Sequence, residues 1–152
     1  MVFQRINRTD PEKVFVIGKN GYSTAALTIG QAVMWGLTAA DGLTVTRPTA
    51  RATNAGTAVA GVVAQASIAV SGYGLVQIYG YHSAIRARTV TGGTPAIAAG
   101  RPLALNVAGS VFCLESIATG STVILRFPCG FAYGATAGFT TAAIAGFLKC
   151  MG

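Results

Sequence analysis

No stretch of this 152-residue chain keeps a helical period, and glycine recurs throughout it, 20 times in all. Apolar residues come in runs of four to eight, closed by glycine, Asn-Gly, Asp-Gly or proline, the pattern of short strands and tight turns. Ala32–Trp35 and Val59–Val63 read as strands. Residues 43–47 alternate after an Asp41-Gly42 turn, so they pair back in a hairpin that ends at Pro48. Lys19-Asn20-Gly21 reads as a turn after the β-branched run at 14–17. Residues 75–88 form the longest alternating segment. Strict alternation puts Leu75, Gln77, Tyr79, Tyr81, Ser83 and Ile85 on one face and Val76, Ile78, Gly80, His82, Ala84, Arg86 and Arg88 on the other. Gly80 in mid-strand predicts a bulge or a close backbone approach. Turns are expected at 91–95 and 119–121, strands at 111–115 and 123–127, and a Gly/Ala-rich loop at 130–138. A terminal strand is expected at 142–149, because Gly146 weakens a helix. Thr28-Ile29-Gly30-Gln31-Ala32-Val33 and Ala98-Ala99-Gly100-Arg101-Pro102-Leu103 look like two copies of one turn. The expected fold is all-β, a compact barrel or sandwich of short strands behind an extended N-terminal arm. Residues 1–13 are the arm, 14–128 the β-rich domain, and 129–152 a Gly/Ala-rich extension ending in a strand.

Charge sets the next constraint. Eleven Lys and Arg and four Asp and Glu make up only 10% of the chain, where a soluble domain carries about 25%. Residues 52–85 and 127–148 have no formal charge, whereas five charged residues fall within 1–13. A lone monomer needs charge to stay soluble and to guard its sheet edges. A chain without it is expected to meet other protein over much of its surface. Phe131, Tyr133 and Phe139, in the uncharged C-terminal stretch, and Tyr79 and Tyr81 on the long strand are the candidate subunit-interface residues. Arg5, Arg8 and Lys13 in the arm are the candidates for pairing with acidic groups on a partner.

Several functional classes lack support in the residues. Mean hydropathy is +0.56, but the long uncharged stretch at 127–148 holds Pro128, four Gly and three Thr, unlike a bilayer span of about 20 apolar residues. Residues 1–13 contain no apolar signal-peptide core. Three cysteines (Cys113, Cys129, Cys150) and one histidine offer no CxxC pair or zinc spacing. They read as small buried or half-buried thiols of a chain made in a reducing cytoplasm. A Cys–His nucleophile would have to join His82 to Cys113 or Cys129. A strand histidine satisfied by backbone or water is the favoured reading. There is no phosphate loop, HExxH or GxSxG, so no catalytic, cofactor or metal residues are expected and the chain reads as a non-enzyme. The net charge of +7 is scattered. The strand with Tyr79, Tyr81, Arg86 and Arg88 keeps a nucleic-acid-binding β-barrel as the alternative, with a basic face meeting an acidic protein surface favoured over it.

One resemblance covers most of the chain, residues 29–127. Val59-Ala60-Gly61-Val62-Val63, then Gly72-Tyr73-Gly74-Leu75-Val76-Gln77-Ile78-Tyr79-Gly80-Tyr81, then Ala98-Ala99-Gly100-Arg101-Pro102-Leu103 resemble the small head decoration (cement) proteins of tailed bacteriophages. In these a G-V-A strand, a G-x-V-Q-x-Y-G strand and an A-G-x-x-L turn recur in that order. The resemblance implies a β-rich capsid decoration protein with no catalytic residues and no cofactor. Its partner would be the major capsid protein, with self-association as a homotrimer and no membrane. It would be made in the host cytoplasm and located in the virion, on the capsid surface. Another phage structural role, in the tail or in head completion, is a further alternative.

Overall fold

A computed structural model describes residues 12–36, 41–48, 58–88, 96–105, 114–116, 129–137 and 141–150. Arg5, Arg8, Cys113, Phe139, the turns expected at 91–95 and 119–121 and the strand expected at 123–127 lie outside these residues, as does most of the one expected at 111–115.

All regular elements among the described residues are strands: β1 (Val14–Asn20), β2 (Leu27–Thr28), β3 (Ala32–Trp35), β4 (Thr44–Thr46), β5 (Val59–Val63), β6 (Ser67–Ile68), β7 (Tyr73–Arg88), β8 (Ala96–Ile97), β9 (Pro102–Leu105), β10 (Leu114–Ser116), β11 (Gly130–Ala132), β12 (Thr136–Ala137) and β13 (Ala142–Lys149). The pairings close twice. β1 pairs with β4, β4 with β3, β3 with β5, β5 with β7, and β7 returns to β1. A second circuit runs from β7 through β10, β9, β11 and β13 back to β7. The 16-residue β7 belongs to both rings, its first half to one and its second half to the other. Closure pairs the strand edges that a chain so poor in charge cannot guard.

The two rings repeat one plan. β1–β4 and β7–β10 are the parallel pairs, and every other pairing is antiparallel in both rings. The two-residue pairs β2–β6 and β8–β12 also correspond. The quasi-repeat seen in the sequence sits at the same place in each ring. Gly30 and Gly100 take left-handed φ values of 80° and 81°. The Gly30 and Gly100 amides donate to the carbonyls of Val63 and Ala132 at 2.9 and 2.7 Å. The Val63 and Ala132 amides donate back to Gln31 and Arg101, both at 2.9 Å.

β3 and β5 match the strands read from sequence. Their continuous apolar runs reflect burial on both faces. Val33, Ala60 and Val63 join Leu27, Val45, Ile68 and Val76 inside the first ring. Ala32, Met34 and Val62 face the second core, with Ile85, Ala87, Ile97, Leu103, Leu105, Ile144 and Leu148.

Three expectations change. Lys19 and Asn20 extend β1 instead of turning. Asn20 is buried, because its Nδ2 donates to the carbonyls of Ala25 and Ile68 at 3.2 and 3.1 Å and its Oδ1 accepts from the Tyr22 amide at 2.9 Å. The loop expected at 130–138 holds β11 and β12, since Phe131 pairs with both Pro102 and Phe147. β11 and β13 thus close the second ring. Finally, alternation along β7 is broken. Its register against β13 steps from His82↔Gly146 to Ile85↔Ile144, three positions on β7 against two. The extra residue reverses parity, so Val76 and His82 and then Ile85 and Ala87 are buried. Ile85 therefore leaves the face expected for it beside Leu75.

The β3–β4 hairpin is anchored by Asp41. Its Oδ1 accepts from the Leu43 and Thr44 amides at 3.0 and 2.8 Å and its Oδ2 from the Thr44 hydroxyl at 2.6 Å. These bonds, the Thr44 hydroxyl first, lower its pKa from 3.8 to about 2. A carboxylate whose pKa falls on folding stabilises the fold above its unfolded pKa, and that contribution is lost as pH drops through the folded value. Asp41→Asn is therefore expected to lower the thermal midpoint at neutral pH. The gap to wild type should close between about pH 4 and 2; a gap constant over that range would refute the assignment.

Candidate interaction face

The exterior of the rings carries the residues that the sequence marked for association. Tyr81 on β7 is directly opposite Phe147 on β13, which is directly opposite Phe131 on β11. The Tyr79 ring meets that of Phe147 edge-on at 5.0 Å and 82°. Tyr133 lies 6.2 Å from Tyr81, tilted by 32°. Four of the five candidates are thus drawn into one aromatic stripe on the second ring, with Phe147 as a member the sequence reading missed. Its signal was present: Ile144, Gly146 and Leu148 alternate inward, which leaves Phe147 outward. Tyr133 is 58% exposed, and such amphipathic rings are typical of interface anchors.

A second face was not singled out from sequence. On the first ring Ile17 pairs with Leu75, and Lys19 with Tyr73. Phe15, Ile17, Tyr73 and Leu75 are all exposed, Ile17 at 59% and Tyr73 at 61%. The signal was Val-Phe-Val-Ile at 14–17, apolar on both faces of a strand whose inner side needs only one. Exposed Lys13 stands at the entry to this strand.

Arg86 Nη2 donates to the Thr28 hydroxyl at 3.1 Å, and the Arg88 Nε is buried. Arg47 stacks on Tyr22 at 5.1 Å.

His82 is buried at the β7 bulge. Its Nδ1 accepts from the Ala84 amide at 3.1 Å, which assigns the proton to Nε2, 3.3 Å from the Val63 carbonyl. Burial pushes its pKa below 6.5, Lys13 adds to the effect, and the Val63 contact opposes it. A histidine whose pKa falls on folding contributes stability above its unfolded pKa and loses it as pH drops below that value. Stability is expected to fall below about pH 6.5. His82→Gln should flatten that part of the profile, and an unchanged slope in the variant would assign it to another group. Among the described residues no group of three or more His, Cys, Asp or Glu is placed to hold a metal, and no helix is long and apolar enough to cross a membrane.

The fold is all-β, two closed rings on a shared strand. No family model and no curated protein matches the chain. Among solved structures it is similar to the head fiber gp8.5 N base of bacteriophage phi29, at 11% identity and a TM-score of 0.45, over 91% of this chain and 96% of that one.

Proposed function

We propose that this chain is a non-enzymatic decoration (cement) protein of a tailed-phage head, bound to the outer surface and bridging major capsid protein subunits. The observation that carries this reading is an exterior rich in exposed apolar side chains on strands whose edges are already paired. With edges closed, association goes through faces, and exposed apolar patches mark such faces. The β1–β7 face beside the arm meets the capsid, with Arg5, Arg8 and Lys13 supplying polar attachment. The aromatic stripe meets a neighbouring copy in a homotrimer. Binding the expanded lattice alone stabilises that state by mass action. The sequence motifs shared with decoration proteins favour the phage head over other assemblies. The nucleic-acid reading draws little support from a strand whose Arg86 is bonded to Thr28 of the same chain. A cryo-EM map of the particle tests the proposal: density for this chain on the outer capsid lattice supports it, and density in the tail or connector overturns it.

A further inference from the structure

We propose that Cys129 and Cys150 are a redox pair, which a small-molecule disulfide converts to an intramolecular disulfide that ties the start of β11 to the end of β13. Cys129 immediately precedes β11 and Cys150 immediately follows β13. The strands are antiparallel, with Gly130 opposite Leu148, and the Lys149 amide donates to the Cys129 carbonyl at 2.8 Å. Cys150 therefore lies one residue past Lys149, which stands opposite Cys129; regular pleating would turn the two side chains to opposite faces, but beyond the strand ends both pack against the second core. Sheet geometry gives a Cα separation of about 6.5 Å, within the range that disulfides span. The Cys150 thiol lies 3.3 Å from the Cys129 carbonyl and packs against the second core, of which Cys129 is a member.

The surroundings divide the roles. Cys150 is half-buried and accessible, whereas Cys129 is buried, with its thiol 3.5 Å from the Leu103 carbonyl. The Cys150 thiol beside it, together with burial, pushes Cys129 well above the usual thiol range. Cys150 is thus the entry point. As a thiolate it attacks one sulfur of oxidised glutathione, forming a mixed disulfide and releasing one glutathione thiolate. Cys129, deprotonated, then attacks the Cys150 sulfur and displaces the second glutathione. The protein loses two protons and two electrons, and oxidised glutathione becomes two glutathiones. The second step needs the Cys129 thiolate, so closure should speed up as pH rises.

The test uses the full chain with oxidised glutathione at pH 7.5 and 9, followed by alkylation, intact mass and peptide mapping. The expected result is loss of two alkylatable thiols and two hydrogen masses, a linked Cys129–Cys150 peptide, reversal by dithiothreitol, and a higher thermal midpoint when oxidised. Cys129→Ser should stop at the glutathione adduct on Cys150. Three alkylatable thiols after oxidation, a link to Cys113, or a lower midpoint on oxidation would each overturn the proposal. All of these readouts are independent of capsid binding.

Discussion

Gly80→Ala is expected to cost about 3 kcal/mol or more, against about 1 kcal/mol for Gly100→Ala. Both glycines are left-handed, at φ 97° and 81°, so each pays for a Cβ in a conformation L-residues avoid. Their surroundings differ. A Cβ at Gly80 would run into the Glu12 carbonyl, whereas one at Gly100 has no neighbour within 4 Å. The contact is with backbone, so relief requires moving the approach to β1 away from β7. Gly80 also pairs with Leu148 of the second ring, so shifting β7 instead would disturb both cores. Domain stabilities of about 5–15 kcal/mol leave little margin for such a loss. Chemical denaturation monitored by circular dichroism should show a large fall in midpoint for Gly80→Ala, still in one transition. Equal losses at the two glycines would remove the close approach from the argument.

The second large effect concerns the two faces. Ile17→Asp and Leu75→Asp are expected to weaken binding to expanded heads by about 30-fold or more, the loss of a well-packed anchor worth about 2 kcal/mol. Both side chains are exposed, so folding stability should change by no more than about 0.5 kcal/mol. Tyr133→Asp should instead weaken self-association, read by sedimentation equilibrium, while a monomer's intrinsic head affinity stays unchanged. If the Ile17 and Tyr133 variants lose the same property, the division between faces is wrong. If neither changes binding, the exposed apolar groups are not anchors.

The strands most legible in the sequence were those whose burial is decided locally. β3 and β5 are uninterrupted apolar runs between turn residues, and their limits follow from that. The terminal strand at 142–149 was legible because Gly146 argues against helix and Ile144, Gly146 and Leu148 keep one parity. Asn20 misled, because its role depends on Ile68, 48 residues away, whose carbonyl it binds. Alternation along β7 could not show the bulge, since an extra residue is defined only against β13. The repeated glycine turn was visible as six residues in each half. That these residues open two matching rings depends on long-range pairings that no local pattern encodes. For the candidate face, aromatic identity identified Tyr79, Tyr81, Phe131 and Tyr133. Phe147 was hidden in a stretch otherwise made of Ala, Gly and aliphatic residues.

Sharing β7 also gives the protein an order of assembly during synthesis. Once Arg88 has been made, all five strands of the first ring exist, while the last strand of the second ring ends 61 residues further on, at Lys149. At about 5–20 residues per second, reaching Lys149 takes about 3–12 s, against microseconds for a hairpin to form. During that interval the second half of β7 awaits β10 and β13 with open edges. Unpaired strand edges are where nascent chains cross-associate. After 34 residues without a formal charge, positions 52 to 85, the sequence places Arg86 and Arg88 in this half. Charged residues flanking an apolar strand disfavour its pairing with another chain, so these two arginines stand where the template for the second ring most needs such protection.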